Sequence, residues 1–144
     1  MPVINKSALV EFKPHEMFNI VDDVDSYSNF LPWCGSSTVL SRSEDEVKAT
    51  IEISHSGIRK SFTTLNRLQP GKIIEVQLID GPFKHLHGFW RFEALGDKGC
   101  KVTLDLEYEF SNKLLGLAIG PVFSQIANTF VDVFCKRAES IYGS

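Results

Sequence analysis

The sequence predicts an α+β fold: a curved antiparallel sheet of about seven strands wrapped round a long C-terminal helix, with two short helices after strand 1. Three observations predict it. Between residues 35 and 110, apolar and polar side chains alternate with period two and are punctuated by short turn sequences. Strands joined by turns that short must be antiparallel neighbours. Residues 112–141 then change to helical spacing, and a sheet with one dry face and an amphipathic helix have to bury each other.

The elements follow in order. Residues 3–12 alternate loosely and end at Lys13-Pro14, which makes them a first strand, with Pro14 suited to the first turn of a helix. Met17, Phe18, Val21 and Val24 recur at helical spacing, and Asp22-Asp23 near this helix's end gains nothing from its dipole. Asp25 or Ser26 can cap a second short helix carrying Tyr27, Phe30 and Leu31 on one side, which Pro32 stops. Val47, Ala49, Ile51 and Ile53 alternate with Lys48, Thr50, Glu52 and Ser54, and Ser56-Gly57 marks a turn. The strands 58–69 and 72–79 are separated by Pro70-Gly71, Asp80-Gly81-Pro82 breaks the chain again, and Asp97-Lys98-Gly99 makes the last hairpin. In 101–110, Val102, Leu104, Leu106, Tyr108 and Phe110 face one way and Lys101, Thr103, Asp105, Glu107 and Glu109 the other: one dry side and one wet side. Ser111-Asn112 caps the long helix, whose stripe is Ile119, Phe123, Ile126, Phe130, Phe134 and Ile141, and Pro121 is expected to kink or locally break it.

The totals bound the function. A chain of 144 residues suits one domain over residues 1–144, and its 43% hydrophobic and 23% charged residues are those of a globular protein. Its longest nearly uncharged apolar run, 114–123, falls short of the roughly 20 residues of a membrane span. The N-terminus lacks the basic start and apolar core of a signal peptide, so a cytoplasmic protein is expected. Cys34, Cys100 and Cys135 are odd in number and contain no C-x-x-C, which points to reduced buried thiols. The net charge of −3 offers no global pull toward nucleic acid; DNA is not an expected partner, and any RNA contact must use a local basic patch.

One part of the helix does not fit a simple amphipathic pattern. Leu114, Leu115, Leu117, Ala118, Ile119, Val122 and Phe123 run round nearly the whole circumference, and a helix apolar all round is covered on every side. The apolar segment 27–34, a second subunit, a membrane surface or a bound apolar molecule could supply that cover. Phe30, Leu31 and Trp33 are candidates, and two such elements from opposite ends of the chain would either border a cleft under the sheet or close on each other as solid core.

Five segments, FLPWC (30–34), SFTTLNRL (61–68), DGPFKHLHGFWRFEAL (80–95), YEFSNKLLGLAIGPVF (108–123) and FCKRAESIYG (134–143), carry a resemblance that spans essentially the whole chain. In their order and spacing the chain resembles the ubiquinone-binding Coq10-type START-like family, within the helix-grip superfamily of polyketide cyclases and lipid-transfer domains. It is especially similar to the bacterial ribosome-association toxin branch. The resemblance implies a helix-grip fold around a hydrophobic tunnel, and ubiquinone or a related isoprenoid lipid as a bound ligand, not a redox cofactor, supporting respiratory quinone function. Toxin-branch members imply a different partner, the large ribosomal subunit, with subunit joining blocked. Mitochondrial relatives carry an import leader, whereas this chain starts at its first strand, so a bacterial protein with at most peripheral contact with the inner membrane is expected.

Candidate sites follow. Phe30, Leu31 and Trp33 are a possible lid; Trp90 and Phe92 alternate with Arg91 and Glu93 and so point inward as pocket wall or core. Leu115 and Ile119 are lining candidates, while Phe123, Ile126 and Phe130 are lining or plain core. A quinone head would need one or two hydrogen-bond donors, and Thr64, Asn66 and Gln77 are candidates, with strand phase there ambiguous. His85-x-His87 places two imidazoles on one strand face, short of the three or four ligands of a zinc site, so no metal is expected. No nucleophile motif, phosphate loop or dinucleotide fingerprint occurs, and the chain is not expected to be an enzyme. A cyclase-like alternative would need Arg91 or His85 inside the tunnel, and both fall on the expected outer face. Ribosome contact would rest on exposed cations among Lys6, Arg59, Lys60, Arg67, Lys84 and Arg91, foremost Arg59, Lys60, Lys84 and Arg91.

Overall fold

Seven antiparallel strands form one curved sheet in a computed structural model that describes residues 3–55, 57–97 and 99–143. Ser56 and Lys98, both assigned to turns above, lie outside the described residues. The strands are β1 (Val3–Val10), β2 (Cys34–Arg42), β3 (Glu46–His55), β4 (Ile58–Gln69), β5 (Ile73–Asp80), β6 (Phe83–Leu95) and β7 (Gly99–Phe110). Their order across the sheet is β1-β7-β6-β5-β4-β3-β2, so five hairpins place β2 to β7 side by side and β1 returns to pair with β7. Helix α1 (Pro14–Asp22), a 3-10 turn (Val24–Ser26) and helix α2 (Tyr27–Phe30) connect β1 to β2, and α3 (Lys113–Tyr142) follows β7.

Strand phase follows the alternation. Val47, Ala49, Ile51 and Ile53 on β3 and Val102, Leu104, Leu106 and Tyr108 on β7 are buried, while Lys48, Lys101 and Glu107 are exposed. Cross-strand partners share a face, which resolves β4: Phe62, Thr64 and Asn66 oppose Ile51, Ala49 and Val47, and so line the inner face. Gln77 opposes Leu65 and His87 on the outer face and is exposed, so it offers nothing to the interior. On the edge strand β1, Lys6 opposes Leu104 on the inner face yet stays exposed; an inward charge at an edge discourages further strand addition.

The helices differ from expectation in four places. Asp25 does not cap α2; its Oδ1 accepts from the Val39 amide at 2.9 Å and ties the connection to β2, while Ser26 Oγ donates to Asp23 Oδ2 at 2.6 Å. Helix α3 begins as predicted, with Asn112 Oδ1 accepting from the Leu115 amide at 2.8 Å, but it runs through Pro121 without a break. The carbonyl that loses its donor there, four residues back on Leu117, sits on the exposed side of the helix where water can serve it. Ile141, placed in the buried stripe, is 47% exposed. Most consequentially, the first turns of α3 are not covered all round: Leu114 and Leu117 are 81% and 77% exposed.

The segment 27–34 meets α3 further along. Tyr27 and Phe30 rings lie 5.2 and 5.6 Å from that of Phe134, Trp33 lies 5.4 Å from Phe130, and the Arg137 guanidinium lies 4.8 Å from the centre of the Phe30 ring. The aromatic segment that looked surplus to a loop is therefore core against the second half of α3. Nearer the start of that helix, Gly116 and Gly120 leave a notch beside the Phe110 ring, which lets α3 approach β7 closely.

Candidate functional site

Between the sheet and the middle of α3 lies an apolar cavity. Its floor is the inner face of β3 to β7, including Ile51, Ile53, Phe62, Ile74, Leu86, Trp90, Leu104 and Leu106. Phe123, Ile126, Ala127 and Phe130 of α3 form its roof, and Val21, Val24, Tyr27 and Trp33 close one side. The space a water molecule can freely occupy is about 70 Å³; all atom-free space, including the mouth open to solvent, is about 800 Å³. The inner space is about half that of a roughly 150 Å³ apolar cavity that holds benzene. A guest the size of a ring and an isoprenoid tail therefore needs the walls to part.

The expected lining residues separate into two groups. Trp33, Trp90, Phe123, Ile126 and Phe130 line the cavity. Phe30, Leu31, Phe92, Leu115 and Ile119 lie outside its lining. Leu31 and Ile119 are each 1% exposed and sit in the solid core, and Phe92 stacks on Trp90 while meeting Phe18 edge-on at 5.7 Å. Leu115, favoured because the apolar surplus is there, is half-buried against the core, while its neighbours Leu114, Leu117 and Ala118 face solvent. Sequence reasoning missed Tyr27, Val24, Phe62, Leu104 and Leu106 as lining; the period-two alternation marked the last two as inward, without showing that they stop short of the helix.

Thr64 and Asn66 are the two polar cavity-wall residues whose side chains are buried on the sheet. Thr64 Oγ1 donates to Asn66 Oδ1 at 2.9 Å, which leaves the Asn66 amide NH₂ as a donor toward a guest's carbonyl. Tyr27 contributes no free hydroxyl, since its OH donates to the Val21 carbonyl, and burial pushes its ionisation far above the ordinary phenol value. No carboxylate, imidazole, lysine, arginine or thiol is among the lining residues. Burial pushes the Cys100 and Cys135 thiols up to about 11 and raises that of Cys34, so all three are neutral and poorly nucleophilic at pH 7.

The outer face holds the remaining candidates. His87 Nε2 meets Glu75 Oε2 at 2.8 Å, and among the described residues no three His, Cys, Asp or Glu side chains gather as a metal site. Arg91 is bound to Asp105 and its guanidinium lies 5.0 Å from the Phe89 ring centre, so its charge is spent within the sheet face. Arg59 and Lys60 are exposed and form no ion pair among the described residues, while Lys84 lies 3.5 Å from Glu109. Arg67 faces Glu46 at 3.7 Å.

A curved sheet gripping a long helix over an apolar cavity defines the helix-grip, START-like class. A profile of the family described as polyketide cyclase / dehydrase and lipid transport matches residues 10–135, and the chain belongs to that family. It is 46% identical over 140 residues to the ribosome association toxin RatA of Pseudomonas aeruginosa, with 97% of each chain covered. It is 29% identical over 143 residues to the mitochondrial coenzyme Q-binding protein COQ10 homolog B of Xenopus laevis, covering 96% of this chain and 59% of that one. The aromatase/cyclase Zhui from Streptomyces shares the fold, with a TM-score of 0.82 at 14% identity over 96% of this chain and 93% of that one.

Proposed function

We propose that this chain is a bacterial, cytoplasmic ribosome-association protein that binds the large ribosomal subunit, blocks subunit joining and catalyses no reaction. The observation that carries this reading is the 46% identity to a protein named as a ribosome association toxin, extending over 97% of both chains. The exposed Arg59, Lys60 and Lys84 fit the reading as local contacts to phosphate on an otherwise acidic protein. A cavity lined by no acid, base or thiol supports the non-enzymatic part. Sedimentation of purified protein with separated subunits through sucrose gradients tests it: migration with the large subunit, weakening as salt rises, is expected, and protein left at the top of every gradient at low salt contradicts it.

A second reading concerns the interior, and the cavity with its single Thr64–Asn66 polar pair favours it. In this reading the wall opens around an apolar guest of the prenylated-quinone class, the Asn66 amide donates to a head-group carbonyl, and the tail lies against Phe62, Trp90 and Phe130. The relative named as coenzyme Q-binding supports that choice of guest. Lipid extraction of the purified protein followed by mass spectrometry should recover a quinone in near-stoichiometric amount; protein that carries none after purification from quinone-replete cells argues against it.

A further inference from the structure

The cavity is closed more firmly on one side than on the other. Helix α3 packs chiefly against α1, β1 and β7, so the gap between helix and sheet widens toward β3, β4 and β5. Phe62 on β4 and Phe130 on α3 line the cavity from opposite sides of this gap, and both keep part of their surface exposed. The Phe62 ring lies 5.7 Å from Phe83, which stacks on Phe110 at 4.9 Å, so the rim beside Phe62 is a continuous apolar strip.

A cation stands on the inner phase of this rim. Lys60 opposes Ile53 across the β3–β4 ladder, and Ile53 lines the cavity. Cross-strand partners share a face, so Lys60 points to the concave side, between Ile58, half-buried against the core, and Phe62. Phe62 is two residues on, about 7 Å along the strand, within reach of an ammonium on a four-carbon stem. The neighbouring charges belong to the other face. Arg59 opposes Ser54, Glu52 opposes Ser61 and Asp80 opposes Thr63, all at outer-phase positions. Glu52 also leans toward β2, where its carboxylate fills the place a Cβ on Gly35 would take. Lys60 itself is exposed and forms no ion pair among the described residues.

From this placement we infer that the cavity takes an amphiphile with an anionic head, its chain passing Phe62 into the interior and its carboxylate or phosphate resting against the Lys60 ammonium at the mouth. The inference rests on the second reading above, in which an apolar guest enters the cavity, and departs from it in the head group. A neutral quinone head uses the Asn66 amide and leaves Lys60 idle. An anion cannot follow it inside, because the interior wall offers the Thr64–Asn66 pair and no cation, and a buried unpaired charge is expensive. At the mouth the anion keeps most of its water, gains a charge-assisted hydrogen bond and leaves only its chain to be buried. The methylenes of Lys60 lie along the same apolar strip, as amphipathic side chains do at the edge of an apolar surface.

The chain carries its own reporter, since its two tryptophans, Trp33 and Trp90, both line the cavity. Tryptophan emission is followed while ionised dodecanoate, dodecyl phosphate or dodecanol is added below its micelle-forming concentration: one tail with different heads. Wild-type protein is expected to bind both anions at least as tightly as the alcohol. Lys60→Gln should weaken both anions roughly three- to ten-fold, less as salt rises, and leave dodecanol unchanged. Lys60→Arg should keep the wild-type pattern. Dodecanoate and dodecyl phosphate then rank the carboxylate and phosphate heads. Binding of dodecanol with rejection of both anions overturns the inference and leaves the cavity reading standing. So does a Lys60→Gln variant that binds the anions as the wild type does, or that loses all three ligands alike. No change in emission with any of the three overturns the cavity reading, and this inference with it.

Discussion

Thr64 and Asn66, two residues apart on the inner face of β4, are joined by a 2.9 Å hydrogen bond in an otherwise apolar wall. They are the buried polar side chains among the described residues, at 4% and 8% exposed. A buried acceptor stripped of its donor costs more than an apolar pair of the same shape. Thr64→Val is therefore expected to destabilise the fold by about 1–2 kcal/mol, and the double variant Thr64→Val/Asn66→Leu to recover most of that loss. Denaturant titration of the two single variants and the double variant measures both effects.

Two glycines respond in opposite ways. A Cβ on Gly116 would meet the Phe110 ring at 3.8 Å, an ordinary contact, so Gly116→Ala gains helix propensity without a clash and should stabilise by up to about 1 kcal/mol. On Gly88 it would collide with the Asp105 carbonyl and come within 2.9 Å of Leu106 Cδ1. Gly88→Ala must move the β6–β7 ladder, and a loss of about 1–3 kcal/mol is expected. Thermal unfolding should place the two melting temperatures on either side of the wild-type value.

Burial sets the alkaline limit of stability. The folded Cys100 and Cys135 thiols titrate near 11 instead of 9.0. A group whose folded pKa is raised contributes stability that is whole below its unfolded pKa and is lost as pH climbs through the folded one. Stability should fall between about pH 9 and pH 11, with a shallower fall in the Cys100→Ala/Cys135→Ala variant. Urea midpoints across that range check it, and slow alkylation of the native thiols at pH 8, accelerating on unfolding, checks the cause.

The sheet was legible in the sequence because the alternation at 47–53 and 101–110 is long and regular, so burial of one face fixes its phase. Strand β4 was legible in its extent, 58–69, but not in its phase, because Thr64 and Asn66 are polar residues on the buried face and blur the alternation. The cavity was misplaced for a related reason. Apolar residues at 114–119 suggested buried lining, but composition does not reveal whether a side chain meets the sheet, a guest or solvent; Ile119 packs in the core while Leu117, two positions earlier, faces out. The aromatic segment 27–34 could be read as either a lid over a cleft or solid core, and what decides between them, its packing on Phe130 and Phe134, depends on the path of α2 along β2 and α3. Arg91 illustrates the limit for surface sites: its outward direction follows from strand phase, and its neutralisation by Asp105 on β7 depends on register.

The most direct measurement of the ribosome reading is reassociation of purified small and large subunits on raising magnesium, followed by light scattering or gradient profile. Large subunits preincubated with a few-fold molar excess of this protein should fail to form whole ribosomes in proportion to occupancy, whereas small subunits preincubated in the same way and then diluted should join normally. Undiminished reassociation with saturated large subunits would contradict the account.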